Sequence, residues 1–400
     1  MSGPLAGLKV LDLSRVLAGP YATQVLADLG ADVWKVESLR GDDTRQWGPP
    51  FAQGESAYYL SANRGKQSLA VDLKDPRGAA AVLRLAQQAD VLVENFKRGD
   101  LARYGLDYAA LEPRNSRLVY ASVTGFGQHG PRAREPGYDA AIQGLSGVMS
   151  ITGEPGGPPE KVGVAWVDVL TGLHLAVGVM AALWEREQSG RGQYLDLALF
   201  DVALASLVNQ AQAYLMTGVP PQRLGSMHPQ IVPYGAFEAE DGWFMLAVGN
   251  DAQFERACRA IGLPELWQPR FRSNAGRVAN RLALLARLQE HFRTGRRDSW
   301  LERLTAEGVP ATPVNDIGEA LADPQVKARN MRWQSTHPLL GRLQTTGSPL
   351  QFLSRTPAAP SLPPPLLGQH SADLLRVAGF SDEEIAELER DGVIHAGRTD

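Results

Sequence analysis

Cysteine is almost absent: the 400 residues contain one, Cys258. A single thiol excludes an intrachain disulfide framework and fits a reducing compartment, so a cytoplasmic protein is expected. Lysine is scarce as well, with seven of the 40 basic residues, the remainder being arginine. Against 44 acidic residues the formal charge is only −4. That leaves no electrostatic footprint for nucleic acid or for an anionic membrane. The seven histidines are scattered, with no His-Glu-x-x-His and no His/Cys cluster, so no metal site is expected. Gly-x-Ser-x-Gly is missing, which removes the nucleophile elbow of an α/β-hydrolase. The opening MSGPLAGLKV has no basic region followed by an apolar core, and no signal peptide is read. Long apolar runs are confined to one stretch, Ala165–Trp184, near the ~20 residues a bilayer span needs. It contains Asp168, Thr171 and His174 and has no counterpart elsewhere, so it reads as a core helix, with His174 a satisfied core histidine.

What is present fits a soluble globular chain, 44% apolar and 21% charged, with a length prior of about two or three domains. The first half alternates strand and helix patterns. LKVLDLS, DVWKVES, QSLAVDL, DVLVENF, RLVYASVT and QYLDLAL read as strands. Between them, PYATQVLADLG opens on proline and closes on glycine, as helices do. The series predicts an α/β fold, a Rossmann-like parallel sheet with helices on both faces, over 1–218. The texture changes after VPPQRLGSMHPQIVPYG. A hairpin with its turn at Asp241-Gly242 and two or three amphipathic helices predict a smaller α+β domain over 225–315. TPAAPSLPPPLLGQH reads as an extended Pro-rich connector, and SDEEIAELERDG as a last helix with Ser381 as N-cap and Glu384 completing a capping box.

Two features invite chemistry. GFGQHG, Gly125–Gly130, matches Gly-x-Gly-x-x-Gly and follows a strand, but Pro131 and Pro136 prevent the helix a dinucleotide fingerprint must open. A glycine loop lining some other ligand fits better. Asp168 puts a carboxylate near the start of the apolar helix, and an unpaired buried carboxylate costs several kcal/mol. Two readings stand. Asp168 is the helix N-cap, worth about 1 kcal/mol, or it is a nucleophile kept ionised by the helix terminus.

Six ordered segments decide the family resemblance: GLKVLDLSRVLAGPYATQVLADLGADVWKVE, NRGKQSLAVDLKDPRG, ADVLVENFKRG, SVTGFGQHGPRAREPGYDAAIQGLSGVMSITGEPGGPP, VDVLTGLHLAVGVMAALWEREQSGRGQ and GVPATPVNDIGEALADPQVKARNM. Together they span nearly the whole chain and resemble the family III CoA-transferases, the CaiB/BaiF group. The resemblance implies an interlocked homodimer and a segment 316–400 that returns to the large domain. It also implies an active site between large and small domains, from different chains. Asp168 falls on the family's nucleophile, which attacks an acyl-CoA thioester, passes through an acyl-aspartyl anhydride and takes up CoA as an aspartyl thioester. The helix start and nearby glycine loops are the expected donors for the oxyanions. Coenzyme A is the carrier. Its contacts map onto Val16, Lys74, Asn95, Phe96 and Arg103, with Tyr138 beside them and Arg40 replacing the cation that formyl-CoA transferase carries where this chain has Ser38. Leu17 stands where that enzyme has glutamine, which argues against formate or oxalate. The related 2-methylacyl-CoA racemases place a histidine at Tyr138. A phenol, with an ordinary pKa of about 10, is a poor base for moving an α-proton. The reading is therefore a transferase acting on an acyl-CoA and a small carboxylic acid, with a racemase and a non-catalytic CoA-binding subunit as alternatives. His228, Gln230 and Tyr234 are candidates to face the acyl group.

Overall fold

The structure is a computed structural model that describes residues 3–351 and 362–397. It divides into two compact units, Met1–Gly147 with Val162–Gln212 and Gln325–Asp400, and Val148–Lys161 with Ala213–Pro324. Thr356–Ser361 of the Pro-rich connector lie outside the described residues.

The first unit is built on a sheet of six parallel strands, β1 (Lys9–Asp12), β2 (Asp32–Glu37), β3 (Lys66–Val71), β4 (Val91–Glu94), β5 (Val119–Thr124) and β6 (Tyr194–Ala198). Their spatial order is 3-2-1-4-5-6, and the short strand Ile394–His395 pairs antiparallel with the outer edge of β3. Strands β1 to β5 are buried on both faces, which is why most of their residues are apolar. Alternate side chains serve two cores. Leu11, Trp34, Leu69 and Leu92 meet α2 (Pro76–Ala86) and the C-terminal helices α8 (Ser371–Val377) and α9 (Asp382–Arg390). Val10, Val33, Val91 and Val119 meet α1 (Ala18–Asp28) and α4 (Trp166–Ser189). The α9 capping box forms reciprocally, Ser381 Oγ accepting from Glu384 N at 3.2 Å and Ser381 N donating to Glu384 Oε2 at 2.7 Å.

Helix α4 is the apolar stretch of the sequence, closed by Gly190 in the left-handed conformation. Val167, Thr171, Leu175, Val179 and Ala182 bury one face at helical spacing. Gly172 lets that face close on α1, since a Cβ there would lie 2.7 Å from the Ala18 carbonyl oxygen. The opposite face carries Leu173, Val177, Met180 and Trp184, exposed at 41, 62, 37 and 72%. His174 belongs to this exposed face and is not a core histidine; its Nδ1 sits 2.9 Å from the Leu170 carbonyl oxygen.

The second unit holds the antiparallel pair β7 (Tyr234–Ala239) and β8 (Gly242–Ala247), extended by β9 (Ala311–Pro313) on β8. The hairpin turn is Glu240-Asp241, one residue earlier than expected, because Gly242 opens β8 opposite Ala239. Helices α5 (Asp251–Ile261), α6 (Arg281–Phe292) and α7 (Arg297–Ala306) close its core around Phe237, Phe244, Phe254, Phe292 and Trp300. Cys258 is buried there, and burial pushes its thiol up to about 12, an inert group. Residues 148–161, placed in the large domain by the linear reading, belong to this unit. Arg223 Nη2 donates to Gly157 O at 2.7 Å and Gly225 N to Gly153 O at 3.0 Å.

Candidate active site

Strand order reverses between β1 and β4, and in open α/β sheets ligands bind at the carboxyl ends of the strands at such a point. Here the two strand ends are tied together. Asn95, just beyond β4, accepts from Arg15 N at 2.9 Å and donates to Arg15 O at 2.7 Å. The next residue, Val16, has φ 70°, a left-handed conformation that strains a β-branched side chain by about 1–3 kcal/mol. Buried charges support this loop from below. Lys35 Nζ donates to Ser14 O and to Asp42 Oδ2, both at 3.0 Å, and Asp42 also receives Val16 N at 3.3 Å. Beside them Lys66 Nζ donates to Asp12 Oδ2 at 3.0 Å, and Ser14 Oγ and Thr23 Oγ1 donate to the same carboxylate. Burial alone raises the Asp12 carboxyl, but Lys66 and Lys35 outweigh it and hold it at about 2. Burial likewise brings Lys66 down to about 8 against the pull of Asp12. These residues were not picked out from the sequence, although a lysine inside a buried parallel strand, as in DVWKVES, is a signal of it.

Asp168 lies in the first turn of α4, but it does not cap the helix. The N-cap position is Ala165, and the cap is supplied by a residue distant in sequence. Asp139, at the start of α3 (Asp139–Leu145), accepts with Oδ1 from Val167 N at 2.7 Å and Asp168 N at 3.1 Å. Its Oδ2 accepts from Gln143 Nε2 at 2.6 Å, and Gln143 Oε1 accepts from Val162 N at 2.9 Å. The approach of α3 rests on two glycines: a Cβ on Gly125, at the end of β5, would lie 2.6 Å from Gly137 Cα. The Asp168 carboxylate is 9% exposed as a residue and has no hydrogen-bond donor among the described residues. Burial, then the negative charge of Asp139, pushes it up to about 7. Tyr58, half-buried on a neighbouring short helix, is pushed up to about 12 by burial and then by Asp168. The helix-start amides of Val167 and Asp168 are thus engaged by Asp139 and are not the free oxyanion donors expected of them.

Two adjoining clefts open at the switch point. The smaller, about 180 Å³, is lined by Val16, Asn95, Phe96, Gly125, Tyr138 and Asp168. The larger, about 680 Å³, is lined by Arg40, Lys74, Phe96, Lys35 and Tyr104 among others. Phe96, Arg15 and Asp43 belong to both. The fold therefore gathers every candidate residue of the first unit except Arg103, whose guanidinium lies 4.9 Å from the Tyr104 ring, outside either lining. Asn95 lines the smaller cleft, yet both ends of its amide serve the Arg15 backbone. Behind Phe96, Glu94 Oε2 accepts from Phe96 N at 2.7 Å. Burial pushes the Glu94 carboxyl up to about 7 against the Ser122 and Phe96 hydrogen bonds. In the second unit, His228 and Tyr234 meet ring to ring at 5.4 Å, and Gln230 N donates to His228 Nδ1 at 3.0 Å.

Comparison with known proteins places this geometry in context. Residues 5–371 match the model of CoA-transferase family III. The chain is 48% identical over 381 residues to the succinate–glutarate CoA-transferase of Agrobacterium fabrum, covering 93% of this chain and 95% of that protein. It is 41% identical over 399 residues to the human succinyl-CoA:glutarate CoA-transferase, covering 99% of this chain and 91% of that one. Among solved structures, a CaiB/BaiF family protein from Brucella suis superposes with a TM-score of 0.85 at 44% identity, covering 94% of this chain and all of that chain.

Proposed function

This chain belongs to CoA-transferase family III, and from that premise we propose that Asp168 carries CoA between two carboxylic acids as a covalent relay. A carboxylate oxygen of Asp168 attacks the thioester carbonyl of the donor acyl-CoA, and the C–S bond breaks to release CoA thiolate. The thiolate attacks the Asp168 carbonyl of the resulting anhydride and expels the donor carboxylate, leaving an aspartyl-CoA thioester. The acceptor carboxylate attacks that thioester and frees the thiolate. The thiolate then attacks the acceptor carbonyl and restores Asp168. Each step exchanges one acyl bond for another, so no step needs an outside energy source. The observation that carries this reading is the bare, buried carboxylate of Asp168 in the lining of the smaller cleft.

CoA lies across both clefts in this proposal. Its phosphates sit toward Arg40 and Lys74, with Arg103 extending the same positive rim beyond Tyr104. Its pantetheine arm passes Phe96 and the strained Val16 turn, and its thioester reaches Asp168 beside Tyr138. The acids in the relatives' names, succinate and glutarate, are dicarboxylates, and we infer succinyl-CoA as donor and a short dicarboxylic acid as acceptor. The protein acts in the cytoplasm as an interlocked homodimer. The exposed stripe of Leu173, Val177, Met180 and Trp184 on α4 supports the assembly, because an apolar ridge of this kind is stabilised by burial against a second copy.

The test is a trapping experiment. The enzyme is mixed with succinyl-CoA without acceptor, quenched with hydroxylamine and digested. A hydroxamate on Asp168, within the peptide Val162–Arg186, is expected, and Asp168→Ala should show none while still binding CoA. Transfer by Asp168→Ala within about tenfold of the parent, a barrier difference below about 1.4 kcal/mol, refutes the nucleophile.

A further inference from the structure

We propose that Asp139 is a positioning residue for the nucleophile: it takes up the first-turn amides of α4, so that the Asp168 carboxylate is held in place but left without a donor. This rests on the reading of Asp168 as the nucleophile. A carboxylate in the first turn of a helix is ordinarily stabilised by the free amides and the helix dipole, and a stabilised carboxylate is a weaker nucleophile. Here those amides turn to a different carboxylate. Asp139 Oδ1 holds Val167 N and Asp168 N at 2.7 and 3.1 Å. Asp139 cannot swing away, because Gln143, one turn later on α3 and fully buried, grips its other oxygen at 2.6 Å and is itself anchored on Val162 N. The arrangement joins two effects. The cap fixes the turn that carries Asp168, and the like charge beside it disfavours the ionised form.

The groups that face Asp168 are Asp139 from α3 and Tyr58 from the helix Ala57–Ser61. The charged residues that also line this cleft are Arg15, Asp43, Lys97, Arg98, Arg134 and Glu135. Besides burial, Asp139 is the group whose charge displaces the Asp168 carboxyl. A purely structural cap needs only an oxygen acceptor at this place, whereas the proposal needs the charge as well.

The experiment separates the two. The pH dependence of kcat/KM is measured for succinyl-CoA and glutarate with the parent, Asp139→Asn, Asp139→Ser and Gln143→Ala. Its acid limb reports the carboxyl of the free enzyme. Asparagine and serine both keep an acceptor for the amides while removing the charge, so either variant suffices if the other does not fold. The acid limb should move down by about one pH unit in these two variants. Gln143→Ala, which loosens the network but keeps the charge, should lower the plateau and leave the limb where it is. A limb that stays put in Asp139→Asn and Asp139→Ser overturns the proposal. So does a parent limb at the ordinary carboxylate pH, a result that needs no variant. Hydroxamate trapping on Asp168 in the same preparations distinguishes the two failures. With the mark present and the limb unmoved, only the role of Asp139 is lost. With no mark in the active parent, the nucleophile itself is wrong.

Discussion

Replacing Asp168 by asparagine should destroy activity and make the protein more stable, and the gain should depend on pH in a specified direction. The side chain keeps its shape and loses only its charge. In the folded protein burial, then Asp139, raises the Asp168 carboxyl from 3.8 to about 7. The folded state therefore holds this proton more tightly than the unfolded chain does. Below about pH 4 both states are protonated and the group contributes nothing. Between about 4 and 7 the unfolded chain ionises first, so stability falls as pH rises. Above about 7 both are ionised and the cost is constant. A displacement of about three units at 1.36 kcal/mol each sets an upper bound of about 4 kcal/mol, and relaxation around the charge brings the expected gain to about 2–4 kcal/mol. The assay compares thermal or denaturant unfolding of parent and Asp168→Asn from pH 4.5 to 8. Titrations of groups remote from Asp168 are common to both and cancel in the difference. The variant's advantage should be smallest at the acid end, grow as pH rises, and reach several degrees of Tm at pH 8. A difference that is flat with pH, or that favours the parent at pH 8, refutes the claim that the active site stores strain in this carboxylate.

Two further outcomes are expected. If the proposed interlocked dimer forms through the exposed ridge of α4, Val177→Arg with Trp184→Arg should prevent its assembly, and little folded protein should remain in sedimentation measurements; a folded dimer of normal activity would show that this face is not the interface. Lys66→Met leaves Asp12 buried without its ion-pair partner and should cost about 3–5 kcal/mol in urea unfolding; a loss below about 1 kcal/mol would mean that Lys35 alone compensates it.

The parallel sheet was legible because its signals are local. Strands buried on both faces are apolar along their length, and Ser381 with Glu384 marks a helix start by two side chains in one turn. Asp168 was visible for the same reason, as a charge inside the longest apolar stretch, and six ordered segments added the family to that clue. The contents of the smaller cleft were partly legible too. Val16, Asn95, Phe96 and Tyr138 came from the resemblance, but nothing local says that Asn95 uses its amide on the Arg15 backbone or that Val16 sits at φ 70°.

By itself the sequence determined the strand and helix pattern, the absence of a disulfide framework and the presence of one carboxylate at the head of an apolar helix. These are properties of spacing and composition, which a chain carries before it folds. The partners of that carboxylate were decided only in three dimensions. Asp139 stands 29 residues before Asp168, beyond three prolines and a glycine-rich stretch, and reaches α4 because Gly125 and Gly137 let two backbones touch. Lys66 meets Asp12 across 54 residues because β3 and β1 share one sheet. Whether a carboxylate is a cap or a nucleophile depends on which donors surround it, and those donors arrive by chain crossings that no local pattern encodes. The sequence placed the charge; the tertiary structure took its hydrogen bonds away.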